Sequence, residues 1–247
     1  LGGAGEIGAA GYALVFSDGE EDKCVLLDCG LHPDPRAGFT HLVPDFYLLD
    51  GIAEPDAVII SHCHHDHVGA LPIFKRKYPN AKIFMTEESA IVYPFVFEDS
   101  KKLIEAQRID SRYLIDVEDV KDAPSVTSVK FGKDFEIIKG VKGRFYRAGH
   151  IFGAGAIFIY PENHNRDWNL LFTGDIKLED QFFIKKCKIP ENLKPKILIC
   201  ETTEAGEKQI LRYETAVERI KNTINKIATK KGNVLIPVTA LGKTQEI

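Results

Sequence analysis

The sequence predicts a layered α/β sandwich, and three observations predict it. Short β-rich apolar runs alternate with turn signals through most of the chain. Helical stripes of apolar residues are interspersed among them. Several of the runs end directly on a histidine or a carboxylate, as expected where loops leave the edge of a sheet. Hydrophobic residues make up 44% and charged residues 28%, which is ample material for a core of this size. One large domain or two small ones would fit 247 residues.

Taken in order, Gly11–Phe16 and Cys24–Asp28 flank the polar stretch Ser17–Lys23, a hairpin pattern. Asp56–Ser61 is a short buried-strand pattern. His67–Lys77 carries apolar residues at 68, 71 and 74 and leads to Pro79, which predicts a helix. Lys82–Thr86 reads as a strand. Glu87–Ile109 reads as a helix that Pro94 should kink or split. Residues 116–148 hold several short strands separated by Gly132, Gly140 and Gly143. Further strands are expected at Ala156–Tyr160, Asn169–Thr173 and Lys196–Cys200. Tyr213–Lys231 is an amphipathic helix stopped by Gly232, and Asn233–Val238 is expected to be a strand. There is no internal repeat and no low-complexity segment.

Net charge is −4, so no global positive field exists to hold nucleic acid. A nucleic-acid substrate would need phosphate contacts from a local groove or from another domain. The five cysteines, Cys24, Cys29, Cys63, Cys187 and Cys200, are odd in number and lack C-x-x-C spacing. That pattern suits free thiols in a reducing, cytoplasmic setting. No apolar run is long enough to span a membrane. The chain starts with Leu, and Gly242–Ile247 reads as a helix just begun, so both ends are expected to be cuts.

The chemistry lies in Ser61-His-Cys-His-His-Asp-His67. It contains H-x-H-x-D-H, with His62, His64, Asp66 and His67, placed between a buried strand and a helix. A shuffled chain of this composition would show that pattern with an expectation of about 0.0006. Imidazole and carboxylate are the ligands zinc takes at open sites. His62 and His64 alternate along an extended segment and can point to one side, while Asp66 and His67 can turn toward a second metal. Cys63 should alternate away from them into the core, and His65 should be exposed or stand behind the ligands. His150, in Ala148-Gly-His150, and Asp175, in Thr173-Gly-Asp175, sit at strand ends beside glycines and are further candidate ligands. Asp28 and Glu201, also at strand ends, are candidates to orient ligand imidazoles. Nothing is assigned to His32, His41 or His164.

Two signals fail in context. Gly3-Ala-Gly-Glu-Ile-Gly8 matches G-x-G-x-x-G but leads into a strand pattern, not a helix. Gly242-Lys-Thr244 is P-loop-like, but Pro237 stands where the first glycine is required.

As a set, these residues resemble the metallo-β-lactamase superfamily. More narrowly they resemble its β-CASP branch of nucleic-acid-processing nucleases, which includes RNase J and the cleavage and polyadenylation nucleases. The pieces are Gly2–Gly8, Leu27–Gly30, Ser61–Gly69, Ala148–His150, Thr173–Asp175, Cys200–Thr202 and Leu235–Gly242, spread over nearly the whole chain. Glu201 and the Ile-Pro-x-x-Ala-Leu-Gly segment point to the branch. The resemblance implies an αββα sandwich, incomplete, over residues 1–200, and the truncated start of a β-CASP domain over 201–247. It implies two zinc ions in the complete protein: His62, His64 and His150 on one, Asp66 and His67 on the other, and Asp175 bridging, with Asp28 and Glu201 behind them. Two later histidines used by the family would lie beyond Ile247. Ala10-Gly11 and Thr203-Glu204 depart from the small polar residue and the aromatic usual there.

The implied activity is zinc-dependent hydrolysis of single-stranded RNA, with DNA as the alternative substrate. Asp66 would hold and deprotonate the attacking water, and one of the later histidines would protonate the leaving oxygen. Alternatives are a thioesterase, lactonase or β-lactamase on the same scaffold, which would want a further histidine soon after Asp175, or an inactive scaffold subunit, which would be expected to lose ligands.

Overall fold

The computed structural model describes residues 1–17, 22–34, 42–107, 122–163, 168–206 and 211–247. His41 and His164, and the parts of the expected elements at 108–109 and 116–121, lie outside them.

Two five-stranded sheets form the centre. The first has the order β1 (Tyr12–Ser17), β2 (Asp22–Leu27), β3 (Ala57–Ile59), β4 (Lys82–Thr86), β5 (Thr127–Val129). The expected hairpin pairs Tyr12 with Leu27 and Ser17 with Asp22, and β2 to β5 run parallel. The second has the order β10 (Ile197–Ile199), β9 (Leu170–Phe172), β8 (Gly155–Pro161), β7 (Val141–Arg147), β6 (Asp134–Ile138). It is antiparallel from β6 to β9, and β10 joins β9 in parallel.

The strand sequences explain the layering. In β2 and β3, Val25, Leu27, Ala57 and Ile59 face the second sheet, while Cys24, Leu26, Val58 and, just past β3, Ile60 face helices, so both faces are apolar. In β7, Val141 and Phe145 are buried between the sheets, and Lys142, Arg144 and Tyr146 alternate outward. On that outer face Arg144 forks onto Asp134 at 2.7 and 2.6 Å. Each fully buried Leu, Ile or Phe in the two cores contributes about 1.5–3 kcal/mol, which keeps the strand ends that carry the site in fixed register.

The helices over the first sheet are α1 (His65–Val68), α2 (Leu71–Lys77) and α3 (Glu87–Gln107). The single helix expected at 67–77 is therefore two. The break falls at Gly69-Ala70, because Pro72 takes the first turn of a new helix, where its missing N–H costs nothing. Pro94, conversely, sits inside α3 without dividing it. Tyr93, Val96 and Phe97 around it are buried, and that packing holds the segment helical through the lost hydrogen bond. α4 (Tyr213–Ala228) has the expected apolar stripe yet no buried residue. Residues 233–238 form no strand, contrary to the sequence pattern. No described strand lies beside them, and Leu235 is 94% exposed. A short α5 (Lys243–Glu246) follows. Among the described residues no helix is long and apolar enough to cross a membrane.

Candidate metal centre

The C-terminal ends of strands from both sheets meet along one edge. Asp28 follows β2, Ser61–His67 follow β3, His150 lies past β7, Asp175 past β9 and Glu201 past β10. Backbone geometry makes the crowding possible. Gly174 has φ +53°, and a Cβ there would lie 2.5 Å from Cβ of Ser61, so only glycine lets the Asp175 loop reach the His62 loop.

Four predicted ligands converge. One ligand atom from each of His62, His64, His150 and Asp175 lies within 4.8 Å of every other. Nδ1 of His64 is 3.2 Å from Nε2 of His62 and 3.1 Å from Nε2 of His150. Asp175 faces two ways. Its Oδ2 lies 3.4 Å from Nε2 of His150 and 3.8 Å from Nε2 of His62, while its Oδ1 lies 3.2 Å from Nε2 of His67. Oδ2 of Asp66 is 3.5 Å from that same Nε2 of His67. The six residues thus form two adjoining groups with Asp175 between them.

The outward bonds fix the proton positions. The Leu241 carbonyl, 3.1 Å from Nε2 of His64, only accepts, so Nε2 carries the hydrogen and Nδ1 offers its lone pair inward. The Ser61 hydroxyl donates to Oδ2 of Asp28 at 2.7 Å, so at 3.0 Å it accepts from Nδ1–H of His62, which leaves Nε2 bare. His67 donates from Nδ1 to Oδ2 of Asp28 at 2.7 Å. Two unprotonated nitrogens 3.2 Å apart, as on His62 and His64, repel one another unless a cation lies between them. The separation is close to the about 3.3 Å expected for two nitrogens tetrahedrally bound near 2.0 Å from one ion. The residues fit a metal ion, and the cluster is able to bind one.

Electrostatics separates the two groups. Burial, reinforced by the neighbouring imidazoles, pushes His62 well below its ordinary value. Burial lowers His150 to about 4, against the pull of Asp175. Burial also acts to lower His67, but Asp28 and Asp175 outweigh it and hold this ring well above its usual range. Asp175 is lowered: its burial is outweighed by His67, His150 and His64. Asp28 is fully buried, and burial raises its carboxyl, opposed by His67 and by the Ser61 amide that donates at 2.6 Å.

A family model described as the metallo-beta-lactamase superfamily matches residues 10–236. The chain belongs to that superfamily. Individual relatives align over its full length. It is 29% identical over 248 residues to the endoribonuclease YSH1 of Yarrowia lipolytica, and spans 28% of that protein. It is 30% identical over 249 residues to cleavage and polyadenylation specificity factor subunit 3-I of Arabidopsis thaliana, spanning 34% of it. It is 30% identical over 250 residues to cleavage and polyadenylation specificity factor 73 of Drosophila melanogaster, again spanning 34%. The chain therefore covers about a third of the length of these relatives.

The remaining predicted residues of this metallo-β-lactamase centre are accounted for as follows. Asp28 touches His67 and Ser61, not the cleft. Glu201 accepts from the amides of Ile176 and Thr203, both at 3.1 Å, and so braces the loop carrying Asp175. Cys63 is buried, donates to the Ser89 carbonyl, and has its thiol pushed up to about 12 by burial. Nε2 of His65 faces Asp99 of α3 at 3.1 Å, away from the centre. Nδ1 of His32 receives the Asp34 amide at 3.0 Å. All five cysteines are free, three of them buried. Two contributors went unread in the sequence. Ser61 precedes the motif directly and has a local signal, whereas the Leu241 carbonyl has none.

Beside Asp66, His67 and Asp175 opens a cleft of about 580 Å³. It is walled by the Gly3–Gly8 loop and by Cys200–Thr203, and the departures at Ala10 and Thr203 both line it. Its described lining includes Glu6, Asp66, Asp175 and Glu201 but no Lys or Arg.

Proposed function

We propose that this chain is the metal-binding catalytic core of a zinc-dependent ribonuclease of the β-CASP branch, acting on single-stranded RNA. Residues 1–200 would form the metallo-β-lactamase domain, and 201–247 would begin the β-CASP domain. His62, His64 and His150 would hold one zinc ion and Asp66 and His67 a second, with Asp175 between them. The carrying observation is the two-way placement of Asp175, its Oδ2 toward His150 and its Oδ1 toward His67. The names of the relatives, which are endoribonucleases and cleavage and polyadenylation factors, supply the substrate class.

Bound ions at these positions supply positive charge that lowers the pKa of a water and neutralises charge growing on phosphate oxygens. The acidic cleft makes that charge useful, since its described walls offer a phosphate no Lys or Arg. Asp66 projects into the cleft and accepts the proton of the attacking water. Asp28 holds His67 and, through Ser61, His62. Glu201 holds the Asp175 loop. The acidic walls also disfavour spontaneous loading of a polyanion, so the reading requires metal before RNA.

The test is cleavage of labelled single-stranded RNA and of matched DNA by the intact protein, before and after chelation and zinc restoration. Zinc-restored loss of RNA is the expected result. Loss of DNA alone would replace the substrate. Cleavage of neither, with zinc bound, would end the nuclease reading in favour of an ester or lactam hydrolase or a scaffold subunit.

A further inference from the structure

The hydrogen bond between His64 and Leu241 joins residues 177 positions apart, and it crosses from the end of the chain to the centre of the ligand cluster. The Thr239 hydroxyl donates to that carbonyl at 3.1 Å, and three further contacts hold the turn that presents it. Gly242, buried at φ +90°, turns the chain where a Cβ would lie 2.5 Å from Cγ2 of Ile151, the neighbour of His150. The side-chain amide oxygen of Gln245 caps the Gly242 N–H at 2.7 Å. The Glu246 carboxylate accepts from the amides of Phe182 and Phe183 at 2.7 and 3.1 Å. The same loop reaches back, as Gln181 donates to the carbonyls of Gly149 and His150 at 2.8 and 3.1 Å. Segment 239–246 is thereby tied to the His64 ring and, through the 181–183 loop, to the backbone of His150.

We propose that the Leu241 carbonyl is a positioning group for the metal centre. It fixes the His64 ring with Nδ1 inward, and Gly242 and Glu246 hold that carbonyl in place. The consequence is that metal affinity in the His62–His64–His150 half depends on how segment 239–246 sits, although that segment supplies no ligand. Partners that orient ligating imidazoles are worth about 10–100-fold in metal affinity. A backbone carbonyl suits this task because it cannot donate and so admits only one tautomer of the ring.

The inference rests on the metal-site part of the proposed function and not on its substrate. It is tested on the intact protein by two readouts that need no RNA. In the first, nitrogen NMR of the metal-free and zinc-loaded protein reports the His64 tautomer. Protonation at Nε2 in both states is expected, and protonation at Nδ1 in the metal-free state overturns the proposal. In the second, zinc affinity is measured by competition with a chelator. Gly242→Ala should lose about 10–100-fold from one of two bound ions. Glu246→Ala, whose side chain is half-buried and lies outside the hydrophobic core, should lose less from the same ion. Wild-type affinity in Glu246→Ala together with wild-type affinity in a folded Gly242→Ala overturns it, as does an equal loss from both ions. If RNA is not cleaved but these shifts appear, the ribonuclease reading fails and this one stands.

Discussion

The two halves of the centre use the same residue types and are prepared in opposite ways. In one, His62 and His150 are driven toward neutrality by burial and by neighbouring imidazoles, and the inward nitrogen of His62 is already bare. In the other, His67 lies between Asp28 and Asp175, which favour its protonated form. A cation arriving at the first half meets bare nitrogens on His62 and His64, whereas one arriving at the second must displace a proton from His67. Zinc ligands bind deprotonated, so the first half is preorganised and the second is proton-gated. Asp175 belongs to both and is a side chain through which loading one half is felt in the other.

The largest effect should therefore come from Asp175→Ala. Removing the shared carboxylate leaves three imidazoles without a charge partner on one side and His67 with only Asp28 and Asp66 on the other. Metal binding in both halves, and turnover with it, should fall by more than the about 10–100-fold that loss of an orienting partner costs. His64→Ala should do the same to the first half alone. Chelator-sensitive cleavage at the wild-type rate in both variants would show that the metal lies elsewhere. Asp28→Asn should act more narrowly. The amide keeps the size of the side chain but turns a donor toward Ser61 or His67, leaving a buried polar group unsatisfied at a cost of about 1–3 kcal/mol in stability. Chemical denaturation should show that loss. Metal titration should show the weaker ion to be the one held by Asp66 and His67. Equal weakening of both ions would mean that the Ser61 relay from Asp28 to His62 matters as much as the direct bond to His67.

Much of this arrangement is legible in the sequence, because two patterns carry it. Short apolar runs bounded by turn signals locate β1, β2 and β4. Alternation at period two, applied to the extended stretch after β3, places His62 and His64 together and Cys63 in the core, where it is found. Glycine beside Asp175 signals the close approach that Gly174 makes to Ser61. Three features resist such reading. The helix expected across 67–77 breaks because Pro72 favours a new first turn, a competition that apolar spacing does not register. Asn233–Val238 has strand composition but no described neighbour to pair with, and a strand is a property of two segments. The Leu241 carbonyl is invisible because every residue has a carbonyl, and only the fold brings this one to His64.

The smallest expected effect, and the sharpest on the comparison, is the pH response of the metal-free protein. His150 has its pKa lowered to about 4 in the folded state, against about 6.5 unfolded. As pH falls below about 6.5 the unfolded chain takes up a proton that the folded one refuses, so this ring destabilises the fold progressively down to about pH 4. His67 is raised, so the sign reverses. Its pairing with Asp28 and Asp175 contributes fully below about pH 6.5 and is lost as pH rises through the raised folded value. His150→Gln should therefore gain stability relative to wild type as pH is lowered from 7.5 to 5. His67→Gln should show its largest loss at pH 5 and a smaller one as pH rises past the His67 value. Denaturation midpoints at several pH values check both. Parallel pH profiles for the two variants would mean that the halves are electrostatically alike, and the proton gate on the second half would then have no basis.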